Sequence, residues 1–156
     1  DGSDALDVQE KAREGRRMKA EGRRQDSRLS SLPPPLEERT LAYGTRAVAL
    51  YRHLCRQERA ARRLADQFLR AATSVGANLA EGRSGETRRD FIHKHSIALK
   101  EAREALYWLR LFVRADLVEE GRVASLMDET DQLIAILVTI ITRAKRNGTV
   151  RTANGR

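Results

Sequence analysis

Four arginines in the first half of the chain are the residues whose spacing best suits a chemical task. They recur at intervals of four, three and four positions, so one continuous helix would carry them as a single stripe: Arg52, Arg56, Arg59 and Arg63. The planar guanidinium group suits phosphate and carboxylate better than the lysine ammonium does. The alternative is a solvated face paired with acids, but Glu58 is the only acid within the stripe. The spacing therefore predicts a polyanion site, with nucleic acid as the ligand.

Two further groups of basic residues are candidates for the same surface. One surrounds the predicted start of the third helix, where pairing with Glu81 and Glu86 is the alternative: Arg83, Arg88, Arg89 and Lys94. The other lies near the C-terminus, where capping of the last helix is the alternative: Arg143, Lys145, Arg146, Arg151 and Arg156. Aromatic side chains are not interleaved with these groups, so we do not expect base-specific reading of single strands.

Few residues could support catalysis or bind a metal ion. A di-iron bundle needs two Glu-x-x-His motifs and two further glutamates, and only Asp90-x-x-His93 approximates one motif. His95 falls on an apolar heptad row and is expected to be a core or interface histidine. Cys55 is expected to pack as a small apolar residue rather than act as a nucleophile. The sequence therefore predicts no metal, no cofactor and no enzymatic activity.

The composition favours a helical, cationic protein. Aromatic residues make up only 4% of 156 residues, and most of the 30 basic residues are arginines. The net charge of +8 arises after residue 40, because nine bases balance nine acids before it. A single cysteine allows no internal disulfide, and the apolar stretch 133–141 is far shorter than the roughly 20 residues of a membrane span. We expect an all-α cytoplasmic protein with no membrane partner.

One helical domain is expected between two tails. Residues 1–35 have few large apolar side chains and end in three prolines, which predicts a disordered or transiently helical tail with a proline linker. Met18 could be the authentic start, in which case residues 1–17 are leader sequence. We expect a four-helix bundle over residues 36–147 and a flexible basic tail over residues 148–156.

Apolar residues at spacings of three and four predict four amphipathic helices in an antiparallel bundle. The first two should be separated within residues 56–63, although one continuous helix is the alternative because no proline or glycine lies there. The second should end at Gly82, and the third should start at the capping box Thr87–Asp90. The fourth should run from about residue 122 to 146 and stop at Asn147-Gly148.

The third and fourth helices have unusually wide apolar faces. A helix that is apolar nearly all round must be buried nearly all round, whereas each helix of a monomeric four-helix bundle has one side in water. The surplus therefore predicts an oligomer interface, with a monomer that has a generous core as the alternative. The residues expected at the interface are Trp108, Phe112, Ile134, Leu137 and Ile141.

The segment Gln67–Gly82, with its Ser-x-x-Ala-Asn-x-Ala-Glu-Gly core, carries a family resemblance, together with Asp90-Phe91, Ile97-Ala98-Leu99 and Glu104. Over residues 41–146 the chain resembles the four-helix bundle proteins encoded in intervening sequences of 23S ribosomal RNA genes. The resemblance implies an up-down-up-down bundle, a ring-like homopentamer and a positively charged surface. That family is similar in fold to the accessory variability proteins of diversity-generating retroelements, which bind a reverse transcriptase and its RNA.

Residues and resemblance together predict a non-enzymatic, homo-oligomeric bundle that binds nucleic acid, with RNA as the expected ligand. Its expected role is that of an accessory factor for a reverse transcriptase or another RNA-handling protein. The alternative is an oligomeric scaffold that recruits a protein partner.

Overall fold

The computed structural model describes residues 34–56, 59–85 and 87–153, with the side chains of residues 59, 60 and 147–153 left out. The chain divides between Pro35 and Leu36. The predicted disordered tail lies outside the described residues except at its last two positions. The described part contains four helices and no strand, which confirms the all-α prediction: α1 (Leu36–Leu54), α2 (Arg59–Ser84), α3 (Arg88–Arg114) and α4 (Glu120–Ala153).

A turn separates α1 from α2. The Cys55 amide still bonds to Tyr51 O at 2.9 Å, but the Arg56 amide bonds to His53 O at 3.2 Å, a tightened arrangement that ends the helix. The continuous-helix alternative is therefore wrong, and the turn is shorter than the predicted stretch. Its cause is tertiary, because the apolar faces of α1 and α2 can share one core only if the chain reverses.

Contacts near the helix ends show that consecutive helices are antiparallel. Tyr51 near the end of α1 donates to Asp66 Oδ1 near the start of α2 at 2.8 Å, while Arg83 at the end of α2 pairs with Glu37 at the start of α1. The same opposition relates the other neighbours in the chain. The contacts are Arg70–Glu104 and Lys94–Glu81 between α2 and α3, and Arg88 with the Lys145 carbonyl between α3 and α4.

The fourth helix closes the bundle against the first. Arg39 pairs with Glu129 at 2.9 Å, and Arg46, later in α1, donates to Ser125, earlier in α4, at 2.9 Å. In the same contact between α1 and α4, the buried Tyr43 hydroxyl lies 3.2 Å from Thr130 Oγ1, and burial raises the tyrosine pKa. Each helix therefore contacts its neighbours in the order α1–α2–α3–α4 and α4 contacts α1, which is an up-down-up-down four-helix bundle.

The core combines small and aromatic side chains. Phe68 on α2 meets Phe112 on α3 edge to face, with ring centroids 5.7 Å apart and an interplanar angle of 79°. Alanines line the neighbouring turns and let the helices approach closely: Ala65, Ala72, Ala98, Ala102 and Ala105. This layer fixes the rotation of α3 and therefore decides which of its side chains face outward.

Gly82 does not terminate α2, which continues to Ser84. A Cβ atom at position 82 would lie 2.9 Å from Cε1 and Nδ1 of the His95 ring on α3, closer than real Cβ contacts allow. The glycine is therefore needed for the close approach of α2 and α3. The prediction that it serves as a helix stop was wrong, because the stop signal and the packing requirement select the same residue.

The fourth helix is longer than predicted. It begins at Glu120 and passes through Asn147-Gly148 to Ala153, so the predicted stop is wrong. The flexibility of the tail from residue 148 stays a prediction. A glycine inside a helix costs only about 1 kcal/mol, so it need not end one. The third helix is capped as predicted, with the Asp90 amide donating to the Thr87 hydroxyl at 3.1 Å.

The wide apolar faces of α3 and α4 are largely accounted for by the monomer core. Phe112 and Leu137 are 0% exposed and Ile141 is 7% exposed, so these predicted interface residues are corrected to core residues. Trp108 and Ile134 are half-buried against the same core. Among the described residues, the exposed large apolar side chains are Leu41, Val48, Tyr107 and Val138.

Candidate nucleic-acid interface

The predicted arginine stripe is divided by the α1–α2 turn. Arg52 lies on α1, Arg56 lies in the turn and Arg63 lies on α2, so the four residues do not share one helical face. We call Arg52, Arg56, Arg59 and Arg63 the α1–α2 corner. Its described side chains, Arg52, Arg56 and Arg63, are exposed and make no ion pair or hydrogen bond with any described residue. These side chains are available to an anion, but they do not form the predicted helical stripe.

The basic group around the start of α3 has a mostly structural role. Arg83 pairs with Glu37, and Lys94 pairs with Glu81. Arg88 donates to the carbonyl groups of Ala144 and Lys145, the latter at 2.9 Å, and so ties α3 to α4. Arg89 is exposed and has no partner among the described side chains. The predicted alternative of pairing holds for Lys94 with Glu81.

The described C-terminal bases lie within α4, as predicted, but the helix continues beyond them to Ala153. Arg143, Lys145 and Arg146 are all exposed. A cation complements the negative end of a helix mainly within its last turn, so the predicted capping of α4 does not apply to these three residues. Their contact with an anion stays a prediction.

The outward face of α3 was missed by the sequence analysis. It consists of Lys100, Arg103, Tyr107, Arg110 and Arg114, all exposed and spaced by three, four, three and four positions. The spacing was present in the sequence. The apolar rows dominate the sequence pattern of α3, and only the packing shows which of its remaining residues face water.

His95 is a core histidine, as the sequence predicted. It is 3% exposed, its Nδ1 lies 2.7 Å from Phe91 O, and its ring stacks on Phe91 at a centroid distance of 3.8 Å. Burial lowers its pKa, although the bond to the Phe91 carbonyl acts in the opposite direction. It borders a cavity of about 230 Å³ that Glu37 and Arg83 also line.

Neither a metal-binding cluster nor a membrane-spanning helix is present among the described residues. There, no three His, Cys, Asp or Glu side chains converge in a way that could hold a metal ion. None of the helices in that part of the chain is both long and apolar enough to span a bilayer. Cys55 is half-buried beside Tyr51, whose pKa is raised to about 12 by its contacts with Cys55 and Asp66.

Comparisons with known proteins agree with the architecture. A family model described as 23S rRNA-intervening sequence protein matches residues 39–139. A crystal structure of a protein of unknown function from the S23 ribosomal protein family of Bacteroides thetaiotaomicron is 33% identical, with a TM-score of 0.63 over 69% of this chain and 98% of that one. No curated protein matches the chain. With about two thirds of its length matched by each comparison, this chain belongs to the 23S rRNA-intervening sequence protein family.

Proposed function

We propose that this chain is a non-enzymatic, homo-oligomeric protein that binds RNA as an accessory factor for an RNA-handling protein, of which a reverse transcriptase is one candidate. The observation that carries the proposal is the α1–α2 corner, where Arg52, Arg56 and Arg63 are exposed and unpaired among the described residues. Unpaired guanidinium groups need not break an ion pair before they bind phosphate. The family's association with ribosomal RNA genes adds support for RNA as the polyanion.

The corner differs in this respect from the cluster at the start of α3. Arg83 and Lys94 must first give up Glu37 and Glu81. Such exposed pairs are worth about 0–1 kcal/mol each, so the difference is small for one residue and accumulates over several. Phosphate contacts release condensed counterions, and each contact on a duplex adds about 0.9 to the slope of log affinity against log salt concentration.

Binding to a labelled RNA hairpin, followed by fluorescence anisotropy between about 50 and 200 mM salt, tests the corner. The variant Arg52→Ala/Arg56→Ala/Arg63→Ala should weaken binding and lower the salt slope by about 2–3. The matched control removes three positive charges from residues that are already engaged in the fold: Arg83→Ala, Arg88→Ala and Lys94→Ala. A smaller change in slope is expected there. Equal changes in both variants would overturn the assignment of the corner, and no binding by the unaltered protein would overturn the proposed function.

Self-association belongs to the same proposal and has its own observation. Leu41 is 73% exposed and Val48 is 41% exposed on α1, beside a shallow apolar groove of about 500 Å³ between α1 and α2. A second copy of the chain that covered these side chains would remove apolar area from water, worth about 25 cal/mol per Å². Light scattering should give a mass of several subunits, and Leu41→Ser should lower it. A monomeric unaltered protein would overturn this part of the proposal.

A further inference from the structure

The outward face of α3 is an unbroken row of exposed side chains. Lys100, Arg103, Tyr107, Arg110 and Arg114 are all exposed within one uninterrupted helix. At 1.5 Å per residue the row from 100 to 114 is about 21 Å long. Stacked nucleotides of one strand are separated by about 3.4 Å, so the row spans about six of them.

The cations of this face have no partners among the described residues. None of Lys100, Arg103, Arg110 and Arg114 makes an ion pair or hydrogen bond with any residue that the structure describes. The acids nearest in the helix are directed elsewhere, because Glu101 and Glu104 both pair with Arg70 on α2, at 3.5 and 2.7 Å. The face is therefore complementary to an anion.

An aromatic ring lies in the middle of the cations. Tyr107 is 59% exposed, and its ring meets Trp108 edge to face with centroids 5.1 Å apart and an interplanar angle of 73°. Trp108 is half-buried and donates through Nε1 to Glu104 at 3.3 Å. Tyr107 therefore rests against an anchored neighbour while much of its own surface stays open to solvent.

We propose that the outward face of α3 binds single-stranded nucleic acid, with phosphates on Arg103, Arg110 and Arg114 and a base stacked on Tyr107. A cationic groove or row with an aromatic platform is the arrangement by which proteins bind single strands without sequence preference. A duplex can contact only the positive charges of this face, because its bases already stack on one another. The inference rests on the proposed function, and it adds a strand class and a site other than the α1–α2 corner.

Tyr107→Ala tests the stacking contact, measured by anisotropy with a labelled oligouridine and with a duplex of matched length. We expect about a tenfold loss of affinity for the single strand and less than a twofold change for the duplex, since only the single strand loses a stacked base. Tyr107→Phe should retain single-strand affinity. Val138→Ala is the matched control, because it truncates an exposed apolar side chain on α4. Equal losses on both ligands, or no loss on either, would overturn the inference.

The only tryptophan of the chain supplies a second readout. A base that stacks on Tyr107 would lie close to Trp108, so oligouridine should quench the protein's tryptophan fluorescence more than the duplex does at equal saturation. Neutralising Arg103, Arg110 and Arg114 to Gln should lower the single-strand salt slope by about 2, at about 0.7 per phosphate. An unchanged slope or equal quenching would contradict the assignment.

Two outcomes distinguish a failure of this inference from a failure of the proposed function. If the unaltered protein binds neither ligand, the proposed function itself fails. If it binds duplex but not oligouridine, the proposed function stands and the α3 inference fails. Light scattering on Tyr107→Ala tests whether a second copy of the chain occupies this face instead. A fall in mass would show that the face is a contact between copies and would overturn the inference.

Discussion

Two regions of this protein carry the same sequence spacing and reach different structures. Positions 52, 56, 59 and 63 and positions 103, 107, 110 and 114 both follow intervals of four, three and four. The chain turns within the first set, whereas α3 continues through the second. The first becomes a corner shared by two antiparallel helices, and the second becomes one exposed row. Spacing predicts a shared face only where the helix is continuous, and the packing of the core decides that continuity.

The largest expected effect comes from a substitution on the inner side of α3. Phe112→Ala removes a fully buried ring that packs on Phe68, so the free energy of unfolding should fall by about 3–5 kcal/mol. Tyr107→Ala, on the opposite side of the same helix, should change it by no more than about 0.5 kcal/mol. Urea unfolding measures both. A comparable loss for Tyr107→Ala would mean that the outward face is not free.

Lowering the pH tests the packing around His95, where α2 approaches α3 most closely. Burial lowers the pKa of His95 in the folded state, so the unfolded state binds more protons below the ordinary pKa of 6.5. Stability is therefore fully present above about 6.5 and is lost as pH falls toward the folded pKa, by at most about 1.4 kcal/mol per unit.

The measurement is urea unfolding at pH 7.5 and 5.5 for the unaltered protein, His95→Gln and the exposed control His93→Gln, at about equal salt. His95→Gln should flatten the pH dependence. Glu37, Arg83 and Lys94 are the charged groups that lie near His95 at this end of the bundle. Retention of the full pH dependence in His95→Gln would rule out the histidine as its source.

Gly82→Ala tests whether close packing of α2 on α3 sets the rotation of α3. The new methyl group would meet the His95 ring at 2.9 Å. An overpacking cost of about 1–3 kcal/mol should exceed the gain of about 1 kcal/mol in helix propensity, for a net loss of about 1 kcal/mol. Gly44→Ala is the matched control, since nothing lies within 4 Å of its added Cβ. Thermal unfolding should show a gain for Gly44→Ala, and a gain for both would contradict the packing argument.

The smallest expected effect concerns the turn after α3, at the same end of the bundle as the α1–α2 corner. Asp116 has φ 55°, and the amides of Asp116 and Leu117 bond to Val113 O and Phe112 O, which closes the helix end. Asp116→Gly should raise stability by about 0.5 kcal/mol, because glycine adopts this conformation without strain. Asp116→Ala should lower it. The reverse order in a thermal unfolding series would show that the side chain, not the backbone, holds the turn.

Much of the fold follows from local signals in the sequence. The apolar spacing predicts all four helices, and Thr87 and Asp90 predict the start of α3. The fates of Gly82 and of Asn147-Gly148 were not predictable in this way, because a glycine weakens a helix by only about 1 kcal/mol and tertiary contacts can override that. The burial of Phe112 and Leu137 depended on how much apolar surface four helices can enclose together, which no single helix reveals.

The helical class, the excess of arginine and the positions of the basic residues along the chain follow from the sequence alone. Which of those residues are available to a ligand depends on how the helices pack. Arg83 pairs with a residue 46 positions away and Arg88 bonds to one 57 positions away. Neither contact can be inferred from the residues next to it in the sequence. Lys100, Arg103, Arg110 and Arg114 remain unpaired among the described residues because Arg70 on α2 engages the two glutamates of their own helix. Antiparallel packing creates both results, since it brings together side chains that are distant in sequence and turns others outward.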